Sequence, residues 1–277
     1  MRRIVHLSDL HFGRDRPELA APLIATVNQL SPDLIAVSGD LTQRAKTNEF
    51  ADAAQLLAQL HAPKLVVPGN HDVPLWNLWQ RLTRPLGRYN HWFGQDTEPM
   101  QELAGGVAVI GVNSVDPFAH QRGKMDRDRT KRVIRRLSQL PETVLKIVVM
   151  HHPFIHPPGS TKAPMPGARR AARAFSKAGA DIILSGHLHH WSAASFELPG
   201  RRSLLFVQAG TGLSTRLRGE PNDFNLLLCA PGMAEVTRYV FDTEANSFVP
   251  TPKREFRDGP KGWYDCQPRE VADQPGL

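Results

Sequence analysis

Short apolar runs alternate with amphipathic segments through the first two thirds of the chain. Six of the runs are rich in β-branched residues and predict strands, namely Ile4–Leu7, Leu34–Val37, Leu65–Val67, Val107–Val112, Val144–Met150 and Ile182–Leu184. The segments between them repeat apolar residues every three or four positions and predict helices over Leu19–Leu30, Glu49–Leu60, Arg129–Leu140 and Arg169–Ala178. This alternation is typical of βαβ units, so the sequence predicts an α/β fold.

The pattern changes after residue 190, where no helical periodicity is found. The segment contains four short strand-like runs separated by turn residues, and these are Ser192–Leu198, Ser203–Val207, Asn225–Cys229 and Glu235–Phe241. With no helices between them, we expect these strands to pair in an antiparallel manner.

Two further segments do not fit the alternation. Val73–Gly105 has no good strand but is rich in Trp, Tyr, Phe and Leu, and it predicts a helical, cap-like insertion in a domain over residues 1–249. Its apolar side chains have three interpretations: packing on the main domain, a homodimer contact, or a groove for an acyl chain. We prefer the first two. Residues 250–277 are rich in Pro, Gly and charge, and we expect a partly disordered tail.

Composition narrows the class of protein. A chain of 277 residues that is 41% hydrophobic can bury a sizeable core, and its two cysteines have neither a CxxC partner nor a nearby histidine. The isolated cysteines are consistent with a reducing cytoplasm. The apolar run after Arg3 is too short for a signal peptide. The formal charge of +7 favours an anionic partner, with membrane contact as a minor alternative. We do not expect nucleic acid, because no stacking aromatics are interleaved with the charges.

Five polar clusters carry candidate chemistry, and four of them directly follow an apolar run. They are Asp9-Leu10-His11, Gly39-Asp40, Gly69-Asn70-His71-Asp72, His151-His152-Pro153 and Gly186-His187-Leu188-His189. A lone Asp-x-His or Gly-Asp is most simply a turn, whereas Gly-Asn-His-Asp and the His-x-His after Gly186 are more specific. The carboxyl ends of parallel strands lie along one edge of a sheet, however, so these residues can converge on one crevice.

The residue types in these clusters are those of a divalent metal site without thiolates. Seven residues offer a ligand atom, which is too many for one ion but fits two ions that share a carboxylate: Asp9, His11, Asp40, Asn70, His151, His187 and His189. In extended backbone, side chains two residues apart point to the same side, so Asp-x-His and His-x-His can each present two ligands together.

Two metal ions at such a site can bind a phosphoryl group and activate a hydroxide for attack on phosphorus. The leaving alkoxide then needs a proton, and an imidazole near the metals but not bound to them can supply it. His71 is the candidate for this catalytic role. We expect Asp72 to orient the His71 ring and to keep its proton available at neutral pH.

The five clusters, in this order, resemble the motif blocks of the calcineurin-like metallophosphoesterase superfamily. The resemblance covers roughly residues 4–215, with Gly210-Thr211 as a weaker sixth element. Within the superfamily, the chain looks most like the bacterial branch that contains the class III cyclic-nucleotide phosphodiesterases and the glycerophosphodiesterases.

This resemblance implies a four-layer α/β/β/α sandwich in which two mixed sheets are flanked by helices. It implies one ion held by Asp9, His11, Asp40 and His189, and a second held by Asp40, Asn70, His151 and His187. Asp40 would bridge the ions, while Asn70 and His71 would contact the substrate. The implied metals are manganese, iron, zinc or a mixture of them.

We therefore expect hydrolysis of a phosphodiester bond in a small molecule, with a cyclic nucleotide as the leading guess. A phosphomonoesterase, a lipid-linked nucleotide pyrophosphatase and a nuclease could use the same metals and stay open as alternatives. A catalytically inactive scaffold is the alternative outside enzymology. It would be expected to lack a metal ligand or the proton donor, and every one of these residues is present in this chain.

Overall fold

Two β-sheets pack face to face, and helices cover the outer face of each sheet. The computed structural model describes residues 1–156 and 162–267. In this part of the chain, three apolar cores separate four layers of secondary structure. The predicted α/β/β/α sandwich of two mixed sheets is confirmed.

The first sheet combines the N-terminal strands with the C-terminal ones. Its strands are β1 (Arg2–Leu7), β2 (Leu34–Val37), β3 (Lys64–Val66), β10 (Asp223–Ala230), β11 (Met233–Asp242), β12 (Ser247–Pro250), β13 (Arg254–Gly259) and β14 (Gly262–Asp265). Neighbours follow the order β14-β13-β11-β10-β1-β2-β3, with β12 paired to β11. The strands β1, β2 and β3 are parallel, while β10 to β14 pair in an antiparallel manner.

The second sheet is built from the middle of the chain. Its strands are β4 (Met100–Leu103), β5 (Val107–Val112), β6 (Leu145–Met150), β7 (Ile182–Ser185), β8 (Ser192–Phe196) and β9 (Leu204–Gln208), in the order β4-β5-β6-β7-β9-β8. The strand β9 runs parallel to β7, so the prediction of purely antiparallel pairing after residue 190 is wrong at this strand. The chain reverses through the edge strand β8, which lets β9 return beside β7 in the parallel direction.

Four helices lie at the positions predicted from the apolar spacing, and two short ones lie in the expected cap. They are α1 (Ala20–Leu30), α2 (Thr47–Ala58), α3 (Leu78–Thr83), α4 (Gly87–Phe93), α5 (Arg127–Gln139) and α6 (Ala168–Lys177). The helices α1 and α2 pack on the first sheet, and α5 and α6 pack on the second. None of the helices in the described part of the chain combines the length and hydropathy needed to cross a lipid bilayer.

Burial on both faces explains why the strands have continuous apolar runs. In β1, Ile4 enters the core between the two sheets, whereas Val5 enters the core beneath α1 and α2. Parallel strands covered on both faces lack the polar alternation of a half-exposed strand. The apolar runs in the sequence therefore mark the centre of the sandwich.

The expected cap contains both helical and strand structure. Residues 73–105 include the short helices α3 and α4, but they end in β4, which pairs with β5 as an edge strand of the second sheet. Tyr89 is fully buried and donates a hydrogen bond to the carbonyl oxygen of Val66. Trp76 and Trp79, in contrast, are 81% and 79% exposed, so packing on the main domain does not account for them.

The expected tail from residue 250 differs from the structure over its first part. The strands β13 and β14 extend the first sheet, and Phe256 and Trp263 are buried in the core between the sheets. Alternation of single apolar residues with charged ones produced the tail-like composition, although it is also the pattern of a half-buried strand. The expected disorder at residues 268–277 lies outside the described residues.

Candidate metal centre

The polar clusters converge because they follow strands that end at one edge of the sandwich. Asp9 and His11 follow β1, Asp40 follows β2 and Asn70 follows β3 in the first sheet. His151 follows β6 in the second sheet, and His187 and His189 follow β7. The structure brings all seven predicted ligand residues into one buried cluster, in which each has a donor atom within 3.7 Å of a donor atom of another.

Asp9, His11 and His189 form the first group of donors. The Nε2 atoms of His11 and His189 are 3.1 Å apart, and Oδ1 of Asp9 lies 3.5 Å and 3.1 Å from them, respectively. These three atoms therefore face a common point. The group matches three of the four ligands that the family resemblance implied for one ion.

Asn70, His151 and His187 form the second group, and Asp40 lies between the two. Nε2 of His151 is 3.2 Å from Oδ1 of Asn70 and 3.3 Å from Nδ1 of His187. Oδ2 of Asp40 is 3.2 Å from this Nε2 atom and 3.7 Å from Nε2 of His11. Asp40 thus has the position that a carboxylate bridging two ions would need.

The backbone at five of the seven residues is in the left-handed region. The φ angles are 52° at Asp9, 50° at His11, 51° at Asp40, 73° at His187 and 55° at His189. Among the residues that the structure describes, only three other non-glycine residues have a positive φ. Side chains rarely adopt this conformation, which costs about 1–3 kcal/mol per residue and clusters at functional sites.

The left-handed backbone corrects our explanation of the Asp-x-His and His-x-His spacing. We expected Asp9 with His11, and His187 with His189, to point the same way because the backbone is extended. Instead, both residues of each pair are left-handed, so a tight turn rather than a pleat aims the two side chains into the cluster. The spacing was informative, but the local geometry behind it was not the one assumed.

Two of the motif glycines are explained by close approach to a ligand. A Cβ atom on Gly69 would lie 2.2 Å from Oδ1 of Asp40, and one on Gly186 would lie 2.4 Å from Oδ2 of Asp9. Neither glycine has a positive φ. They are small so that the two carboxylates can occupy the space that a side chain would fill.

Backbone groups set the direction of the rings and carboxylates. Nδ1 of His151 donates to the carbonyl oxygen of Ser38 at 2.7 Å, and Nδ1 of His189 donates to that of Arg216 at 2.9 Å. With the hydrogen on Nδ1, the neutral form of each ring directs its Nε2 lone pair at the cluster. Oδ2 of Asp9 accepts from the backbone N–H of His187, which leaves Oδ1 directed inward.

The electrostatics of the cluster favour positive charge. Burial raises the pKa of Asp9, but His189 and the other nearby imidazoles outweigh it and hold this pKa well below its usual range. Burial lowers the pKa of His151, but the Asp40 carboxylate reverses the effect and raises it to about 9. Burial also raises the pKa of Asp40, but His151 and His71 outweigh it and hold this pKa well below its usual range, so two ionised carboxylates are buried here and attract cations.

The donor set fits a pair of divalent metal ions. Oδ1 of Asp9 is buried without a hydrogen bond, although Nε2 of His189 lies 3.1 Å away. Ligand atoms bound at about 2.0–2.1 Å around one ion are separated by roughly 3.0–3.4 Å, close to the distances within each group. Carboxylate, imidazole and amide donors without sulfur suit manganese, iron or zinc.

His71 lies at the edge of the cluster, but Asp72 does not orient it. Nδ1 of His71 donates to the carbonyl oxygen of Gln43 at 2.8 Å, which fixes the ring. Asp72 accepts from the backbone N–H groups of Gly69, Leu41 and Thr42 instead. Residues 70–72 form a 3-10 turn, in which consecutive side chains point about 120° apart, so neighbours in sequence cannot pair.

The protonation expected of His71 also differs. Burial lowers the pKa of His71 to about 4, although Asp40 opposes this effect, so the ring is neutral at pH 7. Its Nε2 atom, which carries no hydrogen, accepts a hydrogen bond from Nη1 of Arg216 at 3.1 Å. His71 thus presents an acceptor nitrogen, and not a proton, to the cleft.

Three basic or imidazole side chains complete the surroundings of the cluster. The ring centroid of His152 lies 4.7 Å from that of His187. Lys162 donates to the carbonyl oxygen of His187 at 2.5 Å, and Arg216 reaches His71. Lys162 and Arg216 lie in segments without a strand-end cluster, so nothing in the sequence separated them from other basic residues.

Comparison with known proteins gives one family and several relatives. The family model described as calcineurin-like phosphoesterase matches residues 2–191. A probable cyclic nucleotide phosphodiesterase from Synechococcus sp. is 26% identical over 67% of this chain and 72% of its own length. The glycerophosphodiester phosphodiesterase GpdQ from Enterobacter lignolyticus is 34% identical, but over only 25% of this chain and 29% of its own length.

The solved structures support the fold. A purple acid phosphatase from yellow lupin seeds superposes with a TM-score of 0.68 over 91% of this chain and 53% of its own, at 12% identity. At this identity the likeness concerns the arrangement of sheets and helices alone.

Proposed function

Because the chain belongs to the calcineurin-like phosphoesterase family and is a phosphoric ester hydrolase, we propose that it hydrolyses a phosphodiester bond in a small molecule through a dinuclear metal centre. A cyclic nucleotide is the leading substrate. The observation that carries the proposal is the convergence of seven oxygen and nitrogen donors from five separate segments.

The two groups of donors suggest the ligands of each ion. Asp9, His11 and His189 would hold one ion, and Asn70, His151 and His187 would hold the other. Asp40 would bridge them, which is supported by the position of its Oδ2 atom between His11 and His151.

The ions would polarise the phosphoryl group and supply a hydroxide at neutral pH. The protein supplies rigidity around them. The carbonyl groups of Ser38 and Arg216 hold the rings of His151 and His189, and such contacts fix ring orientation and raise the basicity of the ligand.

His71 and Asn70 would face the substrate. The ring of His71 is neutral at pH 7, and its Nε2 atom lies 3.1 Å from Nη1 of Arg216. An anionic phosphoester close to this atom favours the protonated ring, because a nearby opposite charge raises the pKa of an imidazole. A proton taken up at Nε2 in this way is then placed to pass to the oxygen of the leaving group.

A manganese-supplemented activity screen tests the proposal. The substrates are cyclic nucleotides, bis-nitrophenyl phosphate, nitrophenyl phosphate, glycerophosphodiesters and a nucleotide-sugar lipid, and Asp40→Ala is the control. We expect the diesters to be cleaved fastest and the variant to be inactive. Faster cleavage of the monoester or of the pyrophosphate lipid would favour those alternatives, and no activity on any substrate would favour a scaffold.

A further inference from the structure

The loop between β5 and α5 is held at several points by buried or half-buried side chains. Arg81 of α3 donates to the carbonyl oxygens of Pro117 and Ala119, each at 2.6 Å, and to that of Pro74 at 3.0 Å. Arg129 of α5 donates to the carbonyl oxygens of Val115 and Lys124. Four carbonyl groups of one loop are thus fixed by two guanidinium groups.

His152 anchors the same loop from the side of the metal centre. Its Nε2 atom donates to the carbonyl oxygen of Gln121 at 3.0 Å, and its Nδ1 atom lies 2.9 Å from the hydroxyl of Ser114. The loop packs so closely on this ring that a Cβ atom on Gly123 would lie 2.4 Å from Nδ1. The loop is therefore preorganised relative to both the cap and the metal centre.

One large aromatic side chain of this loop is exposed to solvent. Phe118 is 81% exposed, while its backbone N–H is tied to Oδ1 of Asp116. The side chain borders a cavity of about 670 Å³ that His187 and Lys162 also line, so one candidate metal ligand forms part of the cavity wall. Exposing a phenyl ring on an ordered loop costs hydrophobic free energy that a ligand stacked on it would recover.

The other walls of the cavity are polar and mostly basic. Arg122, Lys162 and Arg218 contribute positive charge, and Asp116 is its acidic lining residue. An acyl chain would have to desolvate these groups without replacing their hydrogen bonds, which is unfavourable. A ligand with a planar ring and an attached phosphate satisfies both the aromatic and the basic walls.

We propose that this cavity is a nucleobase subsite, in which the base of a nucleotide stacks on Phe118 while its phosphate faces Lys162 and the metal centre. The inference deepens the proposed phosphodiesterase function, on which it rests, by assigning recognition of the base to Phe118. A glycerophosphodiester has no planar ring, so it would gain nothing from Phe118.

A pair of matched ligands tests the subsite. AMP and ribose 5-phosphate carry the same phosphate and sugar and differ only by the base. Their binding to the manganese-loaded protein is measured by titration calorimetry, with chromatography of both ligands afterwards to check that they are intact. Because stacking of a base on an aromatic side chain strengthens binding, we expect AMP to bind at least about five-fold tighter than ribose 5-phosphate.

Variants then assign the preference to Phe118. Phe118→Ala should bind both ligands equally, whereas Phe118→Trp should keep the preference for AMP. Trp79→Ala is the matched control, because Trp79 is an equally exposed aromatic residue that does not line the cavity. Equal binding of both ligands to the unaltered protein, or an unchanged preference in Phe118→Ala, would overturn the subsite.

Binding and turnover separate the two proposals. A preference for AMP that depends on Phe118, without cleavage of any phosphodiester, would support the subsite and contradict the proposed activity. A chain that cleaves diesters without any preference for a base would keep the activity and contradict the subsite.

Discussion

Arg216 donates a hydrogen bond to His71, with Nη1 of the arginine 3.1 Å from Nε2 of the imidazole. The carbonyl oxygen of the same arginine accepts from Nδ1 of His189 at 2.9 Å. One residue therefore contacts both the proposed proton donor and a proposed metal ligand. Its guanidinium is half-buried at the mouth of the cluster.

The contact between Arg216 and His71 predicts that their substitutions are not additive. Residues in direct contact show interaction energies of about 0.5–3 kcal/mol in double-mutant cycles. We expect Arg216→Met combined with His71→Ala to lower kcat/KM for an alkyl diester by less than the product of the two single effects. Arg44→Met, paired with His71→Ala in the same way, is the control. Strictly multiplicative losses for Arg216 would contradict a functional link.

Substitution of His71 should affect substrates according to their leaving group. If its ring protonates the leaving oxygen, His71→Ala loses about 100-fold or more in turnover of alkyl diesters and far less with nitrophenyl esters, whose leaving group needs no proton. Metal content, measured by plasma emission spectrometry, should stay near that of the unaltered protein. Equal losses for good and poor leaving groups would reject the role.

Substitution of Asp40 should remove both ions. Oδ2 of Asp40 lies between the two donor groups, so Asp40→Ala takes a ligand from each. We expect the variant to retain less than about a tenth of its metal after dialysis, since even changes outside the ligand shell cost 10–100-fold in affinity. Asp52→Ala, an exposed carboxylate on α2, is the control. A variant that still binds two ions tightly would exclude the bridge.

Asp72 should be needed for stability. Its Oδ1 atom accepts from the N–H and hydroxyl of Thr42, and its Oδ2 atom accepts from the N–H groups of Gly69 and Leu41. Asp72→Asn would turn an NH2 group toward two of these buried donors, at a cost of about 3 kcal/mol. Urea unfolding of the metal-free protein measures the change, with His71→Asn in the same turn as the control. A loss below about 1 kcal/mol would contradict this structural role.

The two cysteines should react at very different rates. Burial raises the pKa of the Cys229 thiol to about 12, so at pH 8 it is both protonated and inaccessible, whereas Cys266 is exposed. A thiol reagent should label one cysteine per native chain and two in guanidinium chloride. Cys266→Ser should remove the native signal. Rapid labelling of both thiols in the native protein would contradict the burial of Cys229.

The α/β fold and the cluster of ligands follow from two sequence signals. Continuous apolar runs such as β6 occur because both faces of these central strands are covered, and polar residues such as His151 follow where the runs end. Both signals are local in sequence. They were therefore sufficient to predict an α/β fold and the seven residues that converge, whereas the four-layer arrangement was implied by the family resemblance of the motifs.

Features that depend on long-range packing could not be predicted in this way. Phe256 and Trp263 lie in strands whose composition resembles a tail, because only one face of these strands is buried. The pairing of His71 with Gln43 and Arg216, rather than with Asp72, depends on a turn geometry and on segments far apart in the chain. A cytoplasmic location, a homodimer and the identity of the metals stay predictions.

The left-handed backbone at the five ligand residues implies a conflict between the thermal stability of the metal-free protein and retention of the metal site. Glycine adopts this conformation at no steric cost, whereas a residue with a side chain is strained. Replacing the ligand residues with glycine would therefore relieve backbone strain in the metal-free protein. A laboratory selection that rewards only survival of the metal-free chain at high temperature should therefore discard aspartates and histidines from this cluster early. The same selection carried out with saturating manganese should retain them.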